Sequence, residues 1–363
     1  MDTQKVLLTP GPLTTSKSVK DAMLVDMGTR DVEYQELVQE VRHILLELAD
    51  ADEKRYTSIL LQGSGTYGVE SVLTSVVKQN EKVLILSNGA YGERMEQICK
   101  SAKVPYDIVK YSMIHQLPLQ ELEAQIARED ITHVAYIHSE TTAGVLNDIK
   151  RIQELIHRYH KISIVDAMSS FAALPLSLNE LDVDYFITSA NKCLHGVPGL
   201  AIIYAKRSHL EQCEGICPSL SLDLYAQYQT MEQGNGSFRF TSPTHVLRAL
   251  RQAIAELIQS GGISARYERY QMIQKRIREA MLAQGFETLV PLSDQSPIIT
   301  TYLCKDGFVF SDFYDYYKAN GYLLYSGKLP QYDAFRIGNI GEISDADVDR
   351  FIVLLKAYFN EVK

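Results

Sequence analysis

A chain of 363 residues, 46% of them hydrophobic, is long enough to bury the cores of two domains, which argues against a disordered protein. The formal net charge of −9 argues against a nucleic-acid-binding protein, because phosphate backbones require a clustered basic surface. No stretch is long and hydrophobic enough to span a membrane, and the N-terminus lacks a secretory hydrophobic region. The five cysteines are scattered, which predicts free thiols, no metal site and a cytoplasmic location.

The N-terminal segment contains closely spaced proline and glycine residues. Leu7 to Ser16 contains Pro10, Gly11 and Pro12, which predicts an extended arm because each proline restricts itself and the residue before it. We assign residues 1–20 to an arm that packs against a smaller C-terminal domain. A helix with one hydrophobic face follows from Tyr34 to Leu48.

A glycine-rich turn, Gly63 to Gly68, lies between the short strand Ser58 to Gln62 and a helix. It presents unpaired backbone N–H groups at the positive end of the helix dipole, beside the hydroxyls of Ser64 and Thr66, and this predicts an anion-binding cup. The spacing also matches the G-x-G-x-x-G pattern of a dinucleotide-binding oxidoreductase, which is kept as an alternative. That pattern expects an acidic residue at the end of the next strand, but Lys82 to Ser87 ends without one.

Later strands also end in residues that can serve a ligand. In order, the strands or their following loops deliver Tyr91, Thr142, Asp166, Ser189 and Lys192. Strands that alternate with helices predict an α/β fold with a mostly parallel, doubly wound sheet. Ligands bind at the carboxyl ends of the strands in such a sheet, so these residues are expected to meet in one crevice.

Asp166 and Lys192 define the chemistry that this crevice suggests. A lysine directly after a buried strand must either reach solvent or take part in chemistry, because burial without a partner disfavours its charge. Formation of an imine removes the conflict between burial and charge. A lysine that forms a Schiff base and an acid that keeps a pyridine nitrogen protonated are the two groups that a pyridoxal phosphate enzyme requires.

The C-terminal part of the chain begins after a well-marked helix. Ser242 and Pro243 predict the N-cap and first residue of that helix, and a longer helix follows from Ser264 to Leu282. We place the large domain at residues 21–260 and the small α+β domain at residues 261–363.

Within the small domain, Arg336 lies in a hydrophobic strand next to glycines. Its planar guanidinium suits a carboxylate or a phosphonate, with an internal salt bridge as the alternative.

Nine strings of sequence, in order, resemble the class V aminotransferases of fold type I, which use pyridoxal phosphate. More narrowly, they are similar to the 2-aminoethylphosphonate:pyruvate aminotransferases: LLTPGPLTTS, LLQGSGTYGVE, SNGAYGERM, HSETTAG, VDAMSSF, SANKCLHGVPG, SLSLDLY, FRFTSPTH and FRIGNIGE. The resemblance implies a large domain with a mostly parallel, doubly wound seven-stranded sheet and a smaller α+β C-terminal domain. It implies transfer of the amino group of 2-aminoethylphosphonate to pyruvate in phosphonate degradation, giving phosphonoacetaldehyde and L-alanine. An alanine or serine:glyoxylate aminotransferase of the same class is the nearest alternative.

The resemblance also implies roles for individual residues. Lys192 corresponds to the Schiff-base lysine, and Asp166 corresponds to the partner of the pyridine nitrogen. Further cofactor contacts are expected from Ser64, Gly65, Thr66, Tyr91, Thr142 and Ser189, and from Thr241 acting on the cofactor of a second subunit. A homodimer with active sites at the subunit interface is therefore implied.

Two arginines are expected at the substrate end of the site. By the resemblance, Arg336 corresponds to the arginine that binds the substrate anion. Arg30 stands where relatives have an aromatic residue, and it is predicted to be either a second phosphonate-binding residue or a surface partner of Asp31. The phosphonate hydrolase activity that accompanies some members of the family has no counterpart in this chain.

Overall fold

The computed structural model describes residues 4–325, 328–329 and 331–361. Its strands are β1 (Val6–Leu7), β2 (Tyr56–Gly63), β3 (Val83–Ser87), β4 (Tyr106–Lys110), β5 (His133–Ile137), β6 (Ser139–Glu140), β7 (Val145–Leu146), β8 (Ile162–Asp166), β9 (Tyr185–Ser189), β10 (Gly199–Lys206), β11 (Ile299–Leu303), β12 (Tyr322–Leu323), β13 (Lys328–Leu329) and β14 (Tyr332–Gly338). Its α-helices are α1 (Lys17–Asp21), α2 (Val32–Leu48), α3 (Gly65–Val76), α4 (Ala90–Ala102), α5 (Leu119–Ile126), α6 (Ile149–Arg158), α7 (Leu178–Leu181), α8 (Arg207–Leu210), α9 (Leu224–Gln233), α10 (Thr244–Gln259), α11 (Gly262–Ala283), α12 (Phe310–Ala319) and α13 (Asp345–Glu361). Short 3₁₀ helices cover Ala22–Leu24 and Leu292–Asp294.

Seven strands form the central sheet, in the order β2-β10-β9-β8-β5-β3-β4. The neighbours from β9 to β4 pair in parallel, whereas β10 runs antiparallel to both β2 and β9. The prediction of a mostly parallel, seven-stranded, doubly wound sheet is confirmed. β10 is missing from the predicted elements, because a short, unbroken hydrophobic run carries no periodicity that separates a strand from a buried helical segment.

The central strands are hydrophobic along their whole length because helices cover both faces of the sheet. All five residues of β3 are buried, and so are all five residues of β9. The strands therefore lie in the core, and the polar residues of the site stand at or just after the carboxyl ends of the strands. Asp166 is the last residue of β8, and Lys192 follows the end of β9, so both lie at the carboxyl edge of the sheet.

The helix that was expected to start at Ser242 begins differently. Pro243 is the N-cap and α10 starts at Thr244, so the prediction of Ser242 as N-cap is wrong. The Ser242 hydroxyl instead lies 2.6 Å from the Tyr34 hydroxyl of α2, a partner that local sequence does not reveal. The next helix, α11, begins at Gly262, two residues before its predicted start at 264.

The arm reaches the C-terminal part of the chain. β1 pairs in parallel with β12, joining Val6 to Tyr322, and Leu8 packs in a hydrophobic cluster with side chains of α11, α12 and α13. A three-stranded sheet, β11-β14-β13, lies in the same part of the chain. α11 contributes to two clusters, since Tyr270 packs in the central core and Ile273 packs with Leu8. The division at residues 20 and 260 stays a prediction.

Two observations bear on the environment of the protein. All five cysteines are free thiols, and Cys99, Cys193 and Cys213 are buried. Across the described ranges, no helix has both the length and the hydrophobicity needed to cross a membrane. The cytoplasmic location stays a prediction.

Candidate active site

Lys192 projects from the loop that follows β9. Its ammonium nitrogen Nζ donates a hydrogen bond to the backbone oxygen of Pro10, at 2.7 Å. Burial lowers the pKa of Lys192, which favours the neutral amine, the form that acts as a nucleophile or a base. The N-terminal arm therefore holds the amine in place through a backbone carbonyl, a neutral group that supplies no negative charge to Lys192.

Gly11 explains how the arm can approach so closely. A Cβ at this position would lie 2.7 Å from Lys192 Cδ and 2.8 Å from Nζ, and the φ of Gly11 is +117°. Any other residue would both strain the backbone and displace the lysine. The proline- and glycine-containing arm is thus one wall of the site, a role that its sequence pattern alone does not indicate.

The loop after Lys192 is tied to distant parts of the chain. The backbone oxygen of Cys193 accepts a hydrogen bond from Arg266 Nη1 at 2.6 Å. His195 Nε2 accepts one from the backbone N–H of Gly341 at 3.1 Å and lies 2.5 Å from the Tyr270 hydroxyl. These buried contacts fix the loop against α11 and against the segment that follows β14.

Asp166 is buried, with 6% of its surface exposed. Its Oδ1 accepts a hydrogen bond from the backbone N–H of Met168 at 2.9 Å, and no cation of the described residues forms an ion pair with it. Burial raises the pKa of Asp166 to about 7. A buried carboxyl group without a cationic partner is suited to receive a protonated ring nitrogen from a ligand.

The predicted anion cup lies at the start of α3. Ser64 is the N-cap residue and its side chain makes no capping hydrogen bond, so the first N–H groups of the helix are available. A Cβ on Gly65 would lie 2.4 Å from Met168 Sδ, so a larger residue here would displace the Met168 side chain, two residues after Asp166. Arg94 Nη1 donates to Thr66 Oγ1 at 3.4 Å, which places a guanidinium at the rim of the cup.

The structure brings most of the predicted site residues together. One cavity of about 160 Å³ is lined by seven of them: Ser64, Gly65, Thr66, Tyr91, Asp166, Ser189 and Lys192. A phosphate cup, an aromatic ring, an acid and a lysine thus surround a single space. Thr142, Arg336, Thr241 and Arg30 do not line this cavity.

Tyr91 is held at the start of α4 by a carboxylate. Glu140, fully buried, accepts hydrogen bonds from the backbone N–H of Tyr91 at 3.2 Å and from the backbone N–H of Thr142 at 2.9 Å. Burial raises the pKa of Glu140. The guanidinium of Arg94 lies 4.9 Å from the centre of the Tyr91 ring. The orientation of the ring is therefore set by groups on α4 and on the β6 strand.

Thr142 supports the site from outside the cavity. Its hydroxyl donates to Glu140 Oε1 at 2.5 Å and accepts from the backbone N–H of Ala90 at 3.0 Å. These contacts connect the loop after β6 to the start of α4. A direct contact between Thr142 and a cofactor stays a prediction.

Arg336 lies on β14, close to the loop that contains Thr142. Its Nη1 donates to the backbone oxygens of Thr141 at 2.7 Å and Thr142 at 3.3 Å, and its guanidinium lies 4.7 Å from the centre of the Tyr325 ring. Its Nε is buried and has no partner in the described part of the chain. The alternative of an internal salt bridge is wrong for these residues, because no carboxylate among them pairs with Arg336.

Arg30 and Thr241 lie together elsewhere, in the wall of a second cavity of about 440 Å³. The alternative that Arg30 is a partner of Asp31 is wrong for the described residues, because no ion pair joins them; the Asp31 carboxylate instead caps α2 by accepting from the backbone N–H of Glu33 at 3.1 Å. Among the described residues Arg30 forms no ion pair. Within one chain, neither Arg30 nor Thr241 reaches the cavity of Lys192.

Two charged residues of the site were not predicted. Arg94 lies three residues after Tyr91 on the same face of α4, and this spacing in SNGAYGERM is a signal that could have identified it. Glu140 lies in HSETTAG, two residues before Thr142, and an acid at the end of a buried strand is a second such signal.

Residues 17–325 match the family described as aminotransferase class-V. The chain therefore belongs to the class V aminotransferases, as the cavity with its lysine, acid and anion cup suggests. This membership excludes the reading of the glycine turn as a dinucleotide-binding fingerprint of an oxidoreductase.

More specific relatives cover nearly the whole chain. A 2-aminoethylphosphonate–pyruvate transaminase from Phocaeicola vulgatus is 48% identical over 354 residues, which are 97% of this chain and 98% of that protein. A bifunctional phosphonoacetaldehyde hydrolase/aminoethylphosphonate transaminase from Clostridioides difficile is 45% identical over 98% of this chain, and the match spans 56% of its own length.

A solved structure, that of the pyridoxamine-pyruvate aminotransferase from Mesorhizobium loti, shares the fold. It superposes with a TM-score of 0.89 at 21% identity, covering 99% of this chain and 93% of that one. The predicted fold type I architecture is thereby confirmed.

Proposed function

We propose that this protein transfers the amino group of 2-aminoethylphosphonate to pyruvate, with pyridoxal phosphate as cofactor. The products are phosphonoacetaldehyde and L-alanine, and the role is in phosphonate degradation. The observation that carries the proposal is Arg336, whose Nε is buried and has no partner in the described part of the chain, and whose guanidinium is near enough to Lys192 to help lower the pKa of that lysine. Transaminases of this specificity that are 45 to 48% identical over nearly the whole chain support it.

The residues of the cavity fit the proposed cofactor group by group. Asp166 is a buried acid without a cationic partner in the described residues, which suits the protonated pyridine nitrogen. Ser64, Gly65 and Thr66 offer the start of a helix to the phosphate, and Tyr91 offers a ring. Lys192 offers an amine whose pKa is lowered. When bound, the cofactor supplies an electron-accepting ring that stabilises negative charge at the substrate carbon.

Lys192 is the group that moves protons. With the cofactor bound, Lys192 would be the group that removes a proton from the carbon that carries the donor's amino group. The lowered pKa of Lys192 favours the basic form of the amine for this step. The backbone oxygen of Pro10 accepts from Nζ and so limits the positions that the amine takes up. The same amine returns the proton in the opposite direction when pyruvate is the acceptor.

Arg336 is proposed to hold the anionic end of each substrate in turn. Its guanidinium is anchored through Nη1 to two backbone oxygens, so the remaining N–H donors are free to bind a phosphonate or a carboxylate. Because the anchors are neutral carbonyl groups, the positive charge of Arg336 is not cancelled by a carboxylate. One binding group can therefore serve both half-reactions.

A homodimer is part of the same proposal. Thr241, which corresponds to a residue that reaches the cofactor phosphate of a second subunit in enzymes of this fold, lies outside the Lys192 cavity of its own chain. Its placement in a separate cavity supports a contribution across a subunit interface.

The proposal is tested by incubating the purified protein, loaded with cofactor, with pyruvate and one amino donor. We expect alanine to form from 2-aminoethylphosphonate much faster than from serine. Alanine formation from serine alone would contradict the proposed donor and favour the serine:glyoxylate alternative. The absorbance of the bound cofactor, measured with and without 2-aminoethylphosphonate, tests cofactor and donor in one experiment, because a productive donor converts the cofactor without pyruvate.

A further inference from the structure

Glu140 is a buried carboxylate to which the proposed reaction assigns no role. It ends β6, the first strand of the short antiparallel hairpin β6–β7, and none of its surface is exposed. In the described part of the chain, no lysine or arginine forms an ion pair with it. Carboxylates are rarely buried without such a partner, because the charged form loses its hydration. The contacts of Glu140 must therefore compensate for the loss of water.

One side of Glu140 contacts the start of α4. The N-cap residue of this helix is Gly89, which has no side chain that could cap it. Glu140 Oε2 instead accepts a hydrogen bond from the backbone N–H of Tyr91 at 3.2 Å. The Thr142 hydroxyl, from the same hairpin, accepts one from the backbone N–H of Ala90 at 3.0 Å. Because the first N–H groups of a helix have no partners within it, the hairpin caps α4 and sets the position of Tyr91.

Gly89 shows how closely the helix approaches the carboxylate. A Cβ at this position would lie 2.8 Å from Glu140 Oε1, so a larger residue would displace the carboxylate. The φ of Gly89 is 171°, an extended conformation that other residues also adopt. The close contact with Glu140, and not the backbone conformation, therefore requires a residue without a side chain.

The other side of Glu140 contacts the turn that anchors Arg336. Glu140 Oε1 accepts from the backbone N–H of Thr142 at 2.9 Å and from its hydroxyl at 2.5 Å. Arg336 Nη1 donates to two backbone oxygens of the same turn. Thr301, the register partner of Arg336 on β11, donates through its hydroxyl to the backbone oxygen of Ala143 at 2.7 Å. The hairpin is thus held against the two strands beside the guanidinium.

The charge of Glu140 acts on two further groups of the site. Burial raises the pKa of Asp166 to about 7, and the negative charge of Glu140 adds to this effect. Burial lowers the pKa of Arg336, and the same negative charge opposes that effect. Burial also raises the pKa of Glu140 itself, whereas the hydrogen bonds from the hairpin and from α4 oppose this rise. Glu140 therefore lies close enough to influence both the acid and the arginine.

We propose that Glu140 is a positioning residue: its carboxylate joins the start of α4 to the 141–142 turn and so fixes the Tyr91 ring relative to the Arg336 guanidinium. The inference rests on the proposed function, because both groups belong to that site. A substrate whose amine reacts at the cofactor and whose anion is held by Arg336 spans a fixed length, so the two ends have to be placed together. Glu140 does not line the cavity and acts through these groups.

The test is a double-mutant cycle that combines Glu140→Gln with Arg336→Ala. Glutamine keeps the size of the side chain, but it removes the charge and turns an amide donor towards backbone N–H groups. We expect Glu140→Gln to raise the KM for 2-aminoethylphosphonate and for pyruvate by about tenfold, and to have much less effect when Arg336 is already replaced. Equal effects in both backgrounds would overturn the proposal, because they would show that Glu140 does not act through Arg336.

A second measurement follows the cofactor and needs no substrate. If Glu140 fixes the Tyr91 ring, Glu140→Gln should weaken the binding of pyridoxal phosphate by about threefold or more. It should also change the circular dichroism of the bound cofactor, because this signal depends on the groups around the cofactor ring. Unchanged affinity together with an unchanged spectrum would overturn the proposal.

Gly89→Ala keeps the proposal testable if Glu140→Gln does not fold. The new Cβ displaces the carboxylate without removing it. This variant should reproduce the rise in both KM values and the change in circular dichroism. Wild-type values in Gly89→Ala would contradict the positioning role.

Asp184→Asn is the matched control. Asp184 is a buried carboxylate just before β9, at the opposite edge of the sheet, where it accepts from the backbone N–H of Ser163 at 2.9 Å and pairs with Lys206 at 3.0 Å. Its replacement should lower the temperature of thermal unfolding and leave both KM values unchanged. A rise in KM like that of Glu140→Gln would overturn the proposal, because the loss of any buried carboxylate would then explain the effect.

The wild-type rate with 2-aminoethylphosphonate reports on the proposed function separately. If that rate is absent, the proposed donor is wrong, and the role of Glu140 is decided by the cofactor measurements on Glu140→Gln and Gly89→Ala.

Discussion

Lys192 and Asp166 lie at strand ends of the central sheet, whereas Arg336 comes from a strand of a second, three-stranded sheet. We call the part of the site around Lys192 and Asp166 the lysine end and the part around Arg336 the arginine end. At the lysine end, the reactive groups are enclosed, and their hydrogen-bond partners are a backbone N–H for Asp166 and a backbone carbonyl for Lys192. At the arginine end, the guanidinium is held by two backbone carbonyls and an aromatic ring.

This difference matches what each end has to do. Burial raises the pKa of Asp166 and lowers that of Lys192, which prepares both groups for a ligand that pairs with them. Arg336 is anchored to neutral backbone carbonyls, and no carboxylate of the described residues forms an ion pair with it. Its positive charge therefore suits anions that bind and leave in alternation. Disturbing the lysine end is therefore expected to affect chemistry, and disturbing the arginine end is expected to affect substrate binding.

The largest effect is expected from Lys192→Ala. Loss of the amine removes both the covalent link and the proton carrier, so transamination should fall by about 1,000-fold or more while cofactor is still bound non-covalently. The rate of alanine formation and the absorbance of the bound cofactor measure the two effects. Lys150→Ala, an exposed lysine of α6, is the matched control and should behave as the wild type. Normal turnover in Lys192→Ala would refute the assignment of the lysine.

Arg336→Ala tests the opposite end. Loss of charge-assisted hydrogen bonds should raise the KM for both 2-aminoethylphosphonate and pyruvate, lowering kcat/KM by about 10- to 100-fold. Steady-state kinetics with each substrate varied in turn gives the two values, and Arg336→Lys should recover part of the loss because it keeps the charge. An effect on one substrate alone would show that the two anions do not share this group.

Gly11→Ala tests the contact that joins the arm to the lysine end. The new Cβ would collide with the Lys192 side chain and displace the amine, which should lower kcat by about tenfold with less effect on KM. Gly215→Ala is a close control, because Gly215 also has a positive φ but a Cβ there meets nothing within 4 Å. Equal kinetics in the two variants would mean that the arm does not position the lysine.

The smallest effect is expected on stability, from Asp166→Asn in the cofactor-free protein. The pKa of Asp166 is about 7 in the folded state, above about 3.9 for an unfolded aspartate. Between these values the folded state holds a proton that the unfolded chain releases, so this group lowers the free energy of unfolding as the pH rises, by at most about 1.4 kcal/mol per pH unit.

Urea unfolding of both proteins between about pH 4.5 and pH 7 measures that contribution. The wild type should lose stability relative to Asp166→Asn across this range, and the difference should level off above about pH 7. Glu140, whose pKa is also raised, is present in both proteins, and its charge is one of the causes that raise the pKa of Asp166. Parallel stability curves would show that Asp166 is not a protonated group in the cofactor-free site.

The lysine end could be predicted in most of its parts. A glycine turn after a strand, an acid at the end of β8 and a lysine after β9 are local patterns, and a parallel sheet places its strand ends on one edge. That rule predicts that Ser64, Tyr91, Asp166 and Lys192 meet in one crevice, and all four line the cavity of the structure. Arg94 and Glu140 lie in equally local patterns that the prediction did not include.

Sequence by itself determined the alternation of strands with helices, the mostly parallel sheet and the group of residues at its carboxyl edge, because these depend on periodicity or turn chemistry over short spans. Tertiary structure decided the contacts between segments that are distant in the chain. Lys192 and Pro10 are 182 residues apart, and Arg336 and Thr141 are 195 apart. No local pattern encodes such pairs, because they depend on how separately formed elements pack. The same reason applies to Arg30 and Thr241, whose common cavity only the packing of α2 against the 237–242 segment creates.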